Sequence, residues 1–208
     1  MLNRHVCCLI IAACFAGGCA GRGEMVMLDP GGPQPDATEP AAPGTRGSVV
    51  IVPFEDGRTE KGRIGKRQHV GGGYTYYTVV EDKPGRLIAQ FLADYLTQRG
   101  WQASVSTDRP QPAPNAEMIM TGEVREFSAE AESRSTSTDI SVKMLVTLQT
   151  SNQARGTTGR MILQGSRVNK VVSFSDRHVQ DALAQMMKES LDRLMADTGV
   201  ENGVFQVK

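Results

Sequence analysis

The chain has 208 residues with 23 basic and 23 acidic side chains, so its formal charge is zero. Nucleic-acid binding normally shows itself as a clustered basic surplus, and that partner class is set aside. All 4 cysteines lie at or before position 19, which leaves the body neither a disulfide framework nor a cysteine-based metal site.

The opening MLNRH carries Arg4 and the terminal amine. An uninterrupted apolar run follows from Val6 to Ala16, and then Gly17 and Gly18. A positive start, a short apolar stretch and small residues are the parts of a secretory signal peptide, here residues 1–18. A transmembrane helix needs about 20 apolar residues, so this run is too short to be one. Ala16-Gly17-Gly18-Cys19 resembles the lipobox of bacterial lipoproteins, in which small residues precede the cysteine that is acylated and becomes the mature N-terminus. The resemblance assigns lipidation to Cys19. Ile11-Ala12-Ala13-Cys14 fits the box better letter by letter. It leaves an apolar stretch of only Val6 to Ile11, shorter than the roughly seven residues normally needed, so Cys14 stays open as the second choice. One acyl chain holds a membrane only marginally, whereas two or more hold firmly. Ala20 follows the anchor, and the general sorting rule for Gram-negative lipoproteins holds back those with Asp in that place. The expected location is therefore the outer membrane, lipid-anchored and facing the periplasm.

Residues 20–47 are rich in Gly, Pro and Ala and show neither helical nor strand periodicity. Such a composition cannot bury enough apolar surface to offset its ordering entropy. Segment 19–47 therefore reads as the lipidated cysteine and a tether, which as a flexible coil spans on the order of 30 Å. Met25-Val26-Met27-Leu28 is an apolar island within it. No role is assigned to the island; dipping into lipid and docking on the domain are its alternatives.

Residues 48–208 are a normal length for a single domain. The β-branched run Ser48–Phe54 predicts a buried strand, and an irregular excursion from Asp56 closes with the strand-like Tyr74–Val80. Leu87, Ile88, Phe91, Leu92, Tyr95 and Leu96 share one helical face, with Pro84 suited to the first turn and Gly100 to the C-terminal cap. Trp101–Val105 starts a second strand. Met118, Met120, Gly122 and Val124 then alternate, and Phe127 breaks parity, which predicts a bulge. Ile140, Val142, Met144, Val146 and Leu148 give the clearest half-buried strand. Met161, Leu163, Val172 and Phe174 form a further run that switches parity near Gly165. Ser175 caps a last helix whose apolar face is Val179, Leu183, Met186, Met187, Leu191, Leu194 and Met195. The fold class expected is α+β, a mainly antiparallel sheet of about five strands with two amphipathic helices on one face.

Several of these features together resemble the YajG-like family of Gram-negative outer-membrane lipoproteins. The matching parts are a signal ending at a cysteine, a Pro-rich tether, and a first strand running into VPFEDGRTEKGRIGKR. Asp56-Gly57-Arg58 and Ile64-Gly65 stand where family members carry D-x-R and a following I-G. Arg99-Gly100-Trp101 after the helix, the long alternating strands and the closing helix complete the likeness over most of 48–197. It implies a fold used by envelope accessory lipoproteins, and no settled biochemical activity.

Catalytic chemistry finds little support in the residues. His69 and His178 are far apart, no H-E-x-x-H or similar metal spacing occurs, and no G-x-S-x-G elbow is present. No catalytic residue, metal or cofactor is expected. Gly71-Gly72-Gly73 lacks the Lys-Ser/Thr of a phosphate loop and reads as a flexible hairpin approach. Asp56 and Arg58 are a candidate recognition pair, with a structural ion pair as the plainer reading. Glu123, Glu126, Glu130 and Glu132 read as solvated edge charges. Tyr74 and Tyr76 share a strand face that Tyr77 opposes, so both join Asp56 and Arg58 in a candidate recognition loop. The function expected is a non-enzymatic, lipid-anchored envelope lipoprotein that binds or scaffolds other envelope components. Its alternative is a ligand-binding or transport accessory for lipid, glycan or peptidoglycan fragments.

Overall fold

The computed structural model describes residues 21–34, 47–106, 116–152, 154–201 and 204–207. The segment expected to be a signal peptide, residues 1–18, and with it Cys14, lies outside them, as does Cys19. The chain order is β1 (Gly21–Leu28), β2 (Ser48–Ile51), β3 (Glu55–Asp56), β4 (Gly65–Gln68), β5 (Gly73–Val79), α1 (Pro84–Gln98) and β6 (Gln102–Val105). The long strands β7 (Met118–Ser133), β8 (Thr138–Asn152) and β9 (Thr157–Val171) follow, and then α2 (Asp176–Asp197) and the hairpin β10 (Thr198–Glu201) and β11 (Val204–Val207).

The fold is α+β, but its sheet has nine strands rather than about five. It is mixed, with antiparallel ladders the longest. On one side β7 pairs antiparallel with β8 and β8 with β9, each along nearly the whole strand. On the other side β7 takes three parallel partners in succession: β2 at Val49–Ile51, β3 at Glu55–Asp56, and β4 at Gly65–Gln68. β6 extends the sheet beyond β2, and β5 and then β1 extend it beyond β4. Of the extra strands, β3 and β4 escaped prediction because they are short. A run of two to four residues has no periodicity to read, and parallel pairing joins segments distant in sequence.

β1 corrects the tether. Gly21–Leu28, placed by composition in the 19–47 tether, pairs parallel with β5 from Gly21↔Gly73 to Leu28↔Val79. Leu28 is fully buried and Val26 packs against the core, whereas Met25 and Met27 face water. Four alternating residues suffice because β5 already offers a free edge. Beyond the strand Pro33 is buried, and its carbonyl accepts a 2.8 Å bond from the Gln98 side chain, so the chain stays on the domain through Gln34.

α1 and α2 touch one another and share one core with the inward positions of the sheet, among them Ile140, Val142, Met144, Val146 and Leu148. The expected bulge in β7 lies between Val124 and Glu126 and restores Phe127 to the core. β9, by contrast, keeps its register through Gly165, so the expected parity switch is absent. A Cβ at Gly165 would collide with the Ser190 hydroxyl of α2, so glycine serves close helix packing there, not a kink. His178 works within α2: the Ser175 backbone N–H donates to its Nδ1 at 3.1 Å, half of a capping box. Asp192 clasps the helices, accepting from the Tyr95 hydroxyl at 2.7 Å and from Arg99 and Lys188 at 2.8 Å. Burial pushes the Asp192 carboxyl up, but bonds from Lys188 and Tyr95 and the nearby cations outweigh it and hold the carboxyl below its ordinary value. Among the described residues no helix is long and apolar enough to cross a membrane.

Candidate functional site

The glycine-rich excursion folds as the β4–β5 hairpin, whose tip closes where the Gly72 N–H meets the His69 carbonyl at 3.0 Å. The alternation of β5 then sorts its tyrosines. Tyr77 is fully buried, and its hydroxyl donates to Asp176 of α2 at 3.4 Å. Burial, reinforced by the Asp176 charge, pushes that phenol well above its ordinary range. Tyr74 and Tyr76 lie on the opposite face, stacked with ring centroids 6.3 Å apart. Each carries a cation, Lys66 Nζ at 4.6 Å from the Tyr74 centroid and the Arg63 guanidinium at 5.0 Å from that of Tyr76. Glu60 holds Arg63 from the side at 2.9 Å.

β1 completes this corner. Met25 is the register partner of Tyr76 and Met27 that of Thr78, so both methionines flank the tyrosines on one face. They are 54% and 60% exposed, too open for core residues. The sequence pointed to Tyr74 and Tyr76 by parity alone. It missed Met25, Met27, Arg63 and Lys66, because only the strand pairing brings them there. The alternation of Met25 and Met27 with Val26 and Leu28 was the available signal.

Asp56 and Arg58 have a different place. Arg58 reaches both Asp56 carboxylate oxygens at 2.9 Å, and its other terminal nitrogen donates to the carbonyls of Arg63 and Phe127 at 3.0 and 3.3 Å. Its side chain is only 8% exposed. A guanidinium so engaged braces the loop before β4 onto β7. Bonding from Arg58 holds the Asp56 carboxyl below its ordinary value. Asp56→Asn should thus lower stability by about 1.5–3 kcal/mol, the range for hydrogen bonds to charged groups. Because the folded-state pKa is depressed, the wild-type contribution is complete above the unfolded value of about 3.9 and is lost as pH falls through the folded value. Denaturant melts at neutral and acid pH check both points: the difference between variant and wild type should shrink in acid.

A cleft of about 1090 Å³ opens where the chain passes from β2 to β3 beside the start of α1. Pro53, Glu55, Lys83, Arg86, Glu123 and Arg160 are among its lining residues. Charges of both signs face one another there, and Glu123 is itself paired with Arg125 at 2.7 Å. Among the described residues no group of three or more His, Cys, Asp or Glu is placed to hold a metal ion.

No family model matches the chain, and no curated protein does. Among solved structures it is similar to protein XCC0632 from Xanthomonas campestris, of the DUF330 family, at 9% identity and a TM-score of 0.46, covering 82% of this chain and 88% of that one. Lipoprotein GNA1162 from Neisseria meningitidis is similar at 13% identity and a TM-score of 0.38, over 72% and 98% of the two chains. Hypothetical protein CT253 from Chlamydia trachomatis is similar at 14% identity and a TM-score of 0.40, over 71% and 94%.

Proposed function

We propose that the chain is a lipid-anchored lipoprotein of the Gram-negative envelope, of the YajG-like kind, which binds or scaffolds other envelope components and catalyses no reaction. One observation carries the reading. Every cysteine precedes the fold, and Cys19, closing a signal-like segment at a lipobox-like sequence, stands two residues before β1. A thiol kept there and nowhere in the folded body serves attachment, not cross-linking or metal binding. Ala20 directs the anchored chain to the outer membrane, with its domain in the periplasm. The cleft beside α1 supports the second reading, an accessory that holds a polar ligand such as a glycan or peptidoglycan fragment, since its charged lining suits such a ligand better than an acyl chain.

Cys19→Ser is expected to abolish metabolic labelling with palmitate and to release the chain from membranes. Labelling that survives in Cys19→Ser and vanishes in Cys14→Ser would move the anchor to Cys14. Fractionation of the wild type mainly with the inner membrane would refute the proposed location.

A further inference from the structure

The start of β1 and the exposed apolar corner are the same place. β1 begins at Gly21, so Cys19 is covalently held within about 7 Å of the first residue of the edge strand. Gly21 pairs with Gly73, next to the hairpin tip where Val70 is 64% exposed. From there Tyr74, then Met25 and Tyr76, then Met27 follow along one face. We infer that this corner of the domain beds against the lipid surface that holds the acyl chains of Cys19, so that the protein sits flush on its membrane in a fixed orientation. The inference rests on the proposed lipidation of Cys19.

The chemistry of the corner fits that one occupant. Methionine adapts to irregular apolar surroundings, and tyrosine with lysine or arginine over its ring is amphipathic in the way that headgroup-level side chains are. The row across the sheet through Met25 runs to Tyr76, Lys66 and then Glu130. Along this row the first carboxylate therefore stands on β7, about 10 Å from β5, which limits the bedded area to the β1–β5–β4 edge. Nearer the corner, the Glu60 charge is offset by its 2.9 Å pair with Arg63. Glu24 pairs with buried Thr75 and so belongs to the other side of β1. Lateral freedom is small as well. A long tether would let the domain tumble, whereas two residues of slack leave little room for it, so even a modest apolar contact is favoured by high effective concentration.

Acylated Cys19 has no free thiol, and Cys7, Cys8 and Cys14 leave with the signal, so one introduced cysteine takes one label. The full acylated protein would be prepared as Met25→Cys and, separately, as Ile162→Cys, each bearing an environment-sensitive fluorophore. Ile162 is 60% exposed on β9, eight residues from Lys170, whose row leads to Tyr74. It thus stands about 27 Å further along the sheet. Both proteins would be placed in vesicles of phosphatidylethanolamine and phosphatidylglycerol, with and without a lipid-borne quencher. The expected result is blue-shifted emission at Met25 and quenching several-fold greater than at Ile162. Equal, water-like emission at both sites in vesicle-bound protein overturns the inference and leaves lipidation standing. A chain that fails to float with vesicles overturns both. Shielding of Met25 in whole outer membranes but not in pure lipid would give the corner to an envelope protein, and would also overturn it.

Discussion

Phe91→Ala is expected to lower the unfolding free energy by about 3–5 kcal/mol. Phe91 lies on the inner face of α1 at 2% exposure, in the single core that both helices share with the sheet. Removing its ring loses the transfer free energy of the buried carbons and leaves a cavity in the core beneath α1. With net stabilities of only about 5–15 kcal/mol, such a loss takes a large share of the total. Tyr76→Ala supplies the contrast, because Tyr76 is half-buried on the outer face and packs mainly on Tyr74 and Arg63. Urea melts of the soluble, unlipidated chain should show a large fall in midpoint for Phe91→Ala and a small one for Tyr76→Ala. Equal falls would place Tyr76 in the core and remove the exposed corner.

Gly85→Ala carries the second large effect. Gly85 sits in the first turn of α1, where the Phe54 N–H donates to its carbonyl at 3.3 Å. An added Cβ would run into the Phe54 carbonyl oxygen, a backbone atom that cannot swing aside. Overpacking of this kind costs about 1–3 kcal/mol, occasionally more. The variant should melt earlier although alanine is the better helix former, so propensity and packing predict opposite signs. A melt at or above the wild-type temperature would mean that the connection between β2 and β3, which carries Phe54, moves freely away from α1.

α1, α2 and β8 were legible because each is long enough to show its period. The nine-residue alternation from Ile140 to Leu148 and the Leu87–Leu96 face both state which side is buried. β1 was not legible, since its composition is that of a linker and only Val26 and Leu28 reach the core. Nothing local to Met25 announces that a β5 edge waits for it across the intervening chain. β3 and the C-terminal hairpin were missed because their strands are only two to four residues long, although the Phe205 ring of β11 packs 5.1 Å from that of Trp101. In the site, parity correctly put Tyr74 and Tyr76 together and Tyr77 opposite. Asp56 and Arg58 were correctly picked out as a pair, but their burial depends on the Phe127 carbonyl of a distant strand, and no spacing within D-x-R reveals it.

The proposed lipid anchor joins the proposed function to the orientation inferred for the domain, and one mass measurement tests it most directly. Mature protein would be extracted from membranes, digested, and its N-terminal peptide weighed. The expected peptide begins at Cys19 and carries the added mass of a diacylglyceryl thioether, with or without a further amide-linked acyl chain. An unmodified N-terminus, or one starting at any residue other than Cys19, would contradict the assignment.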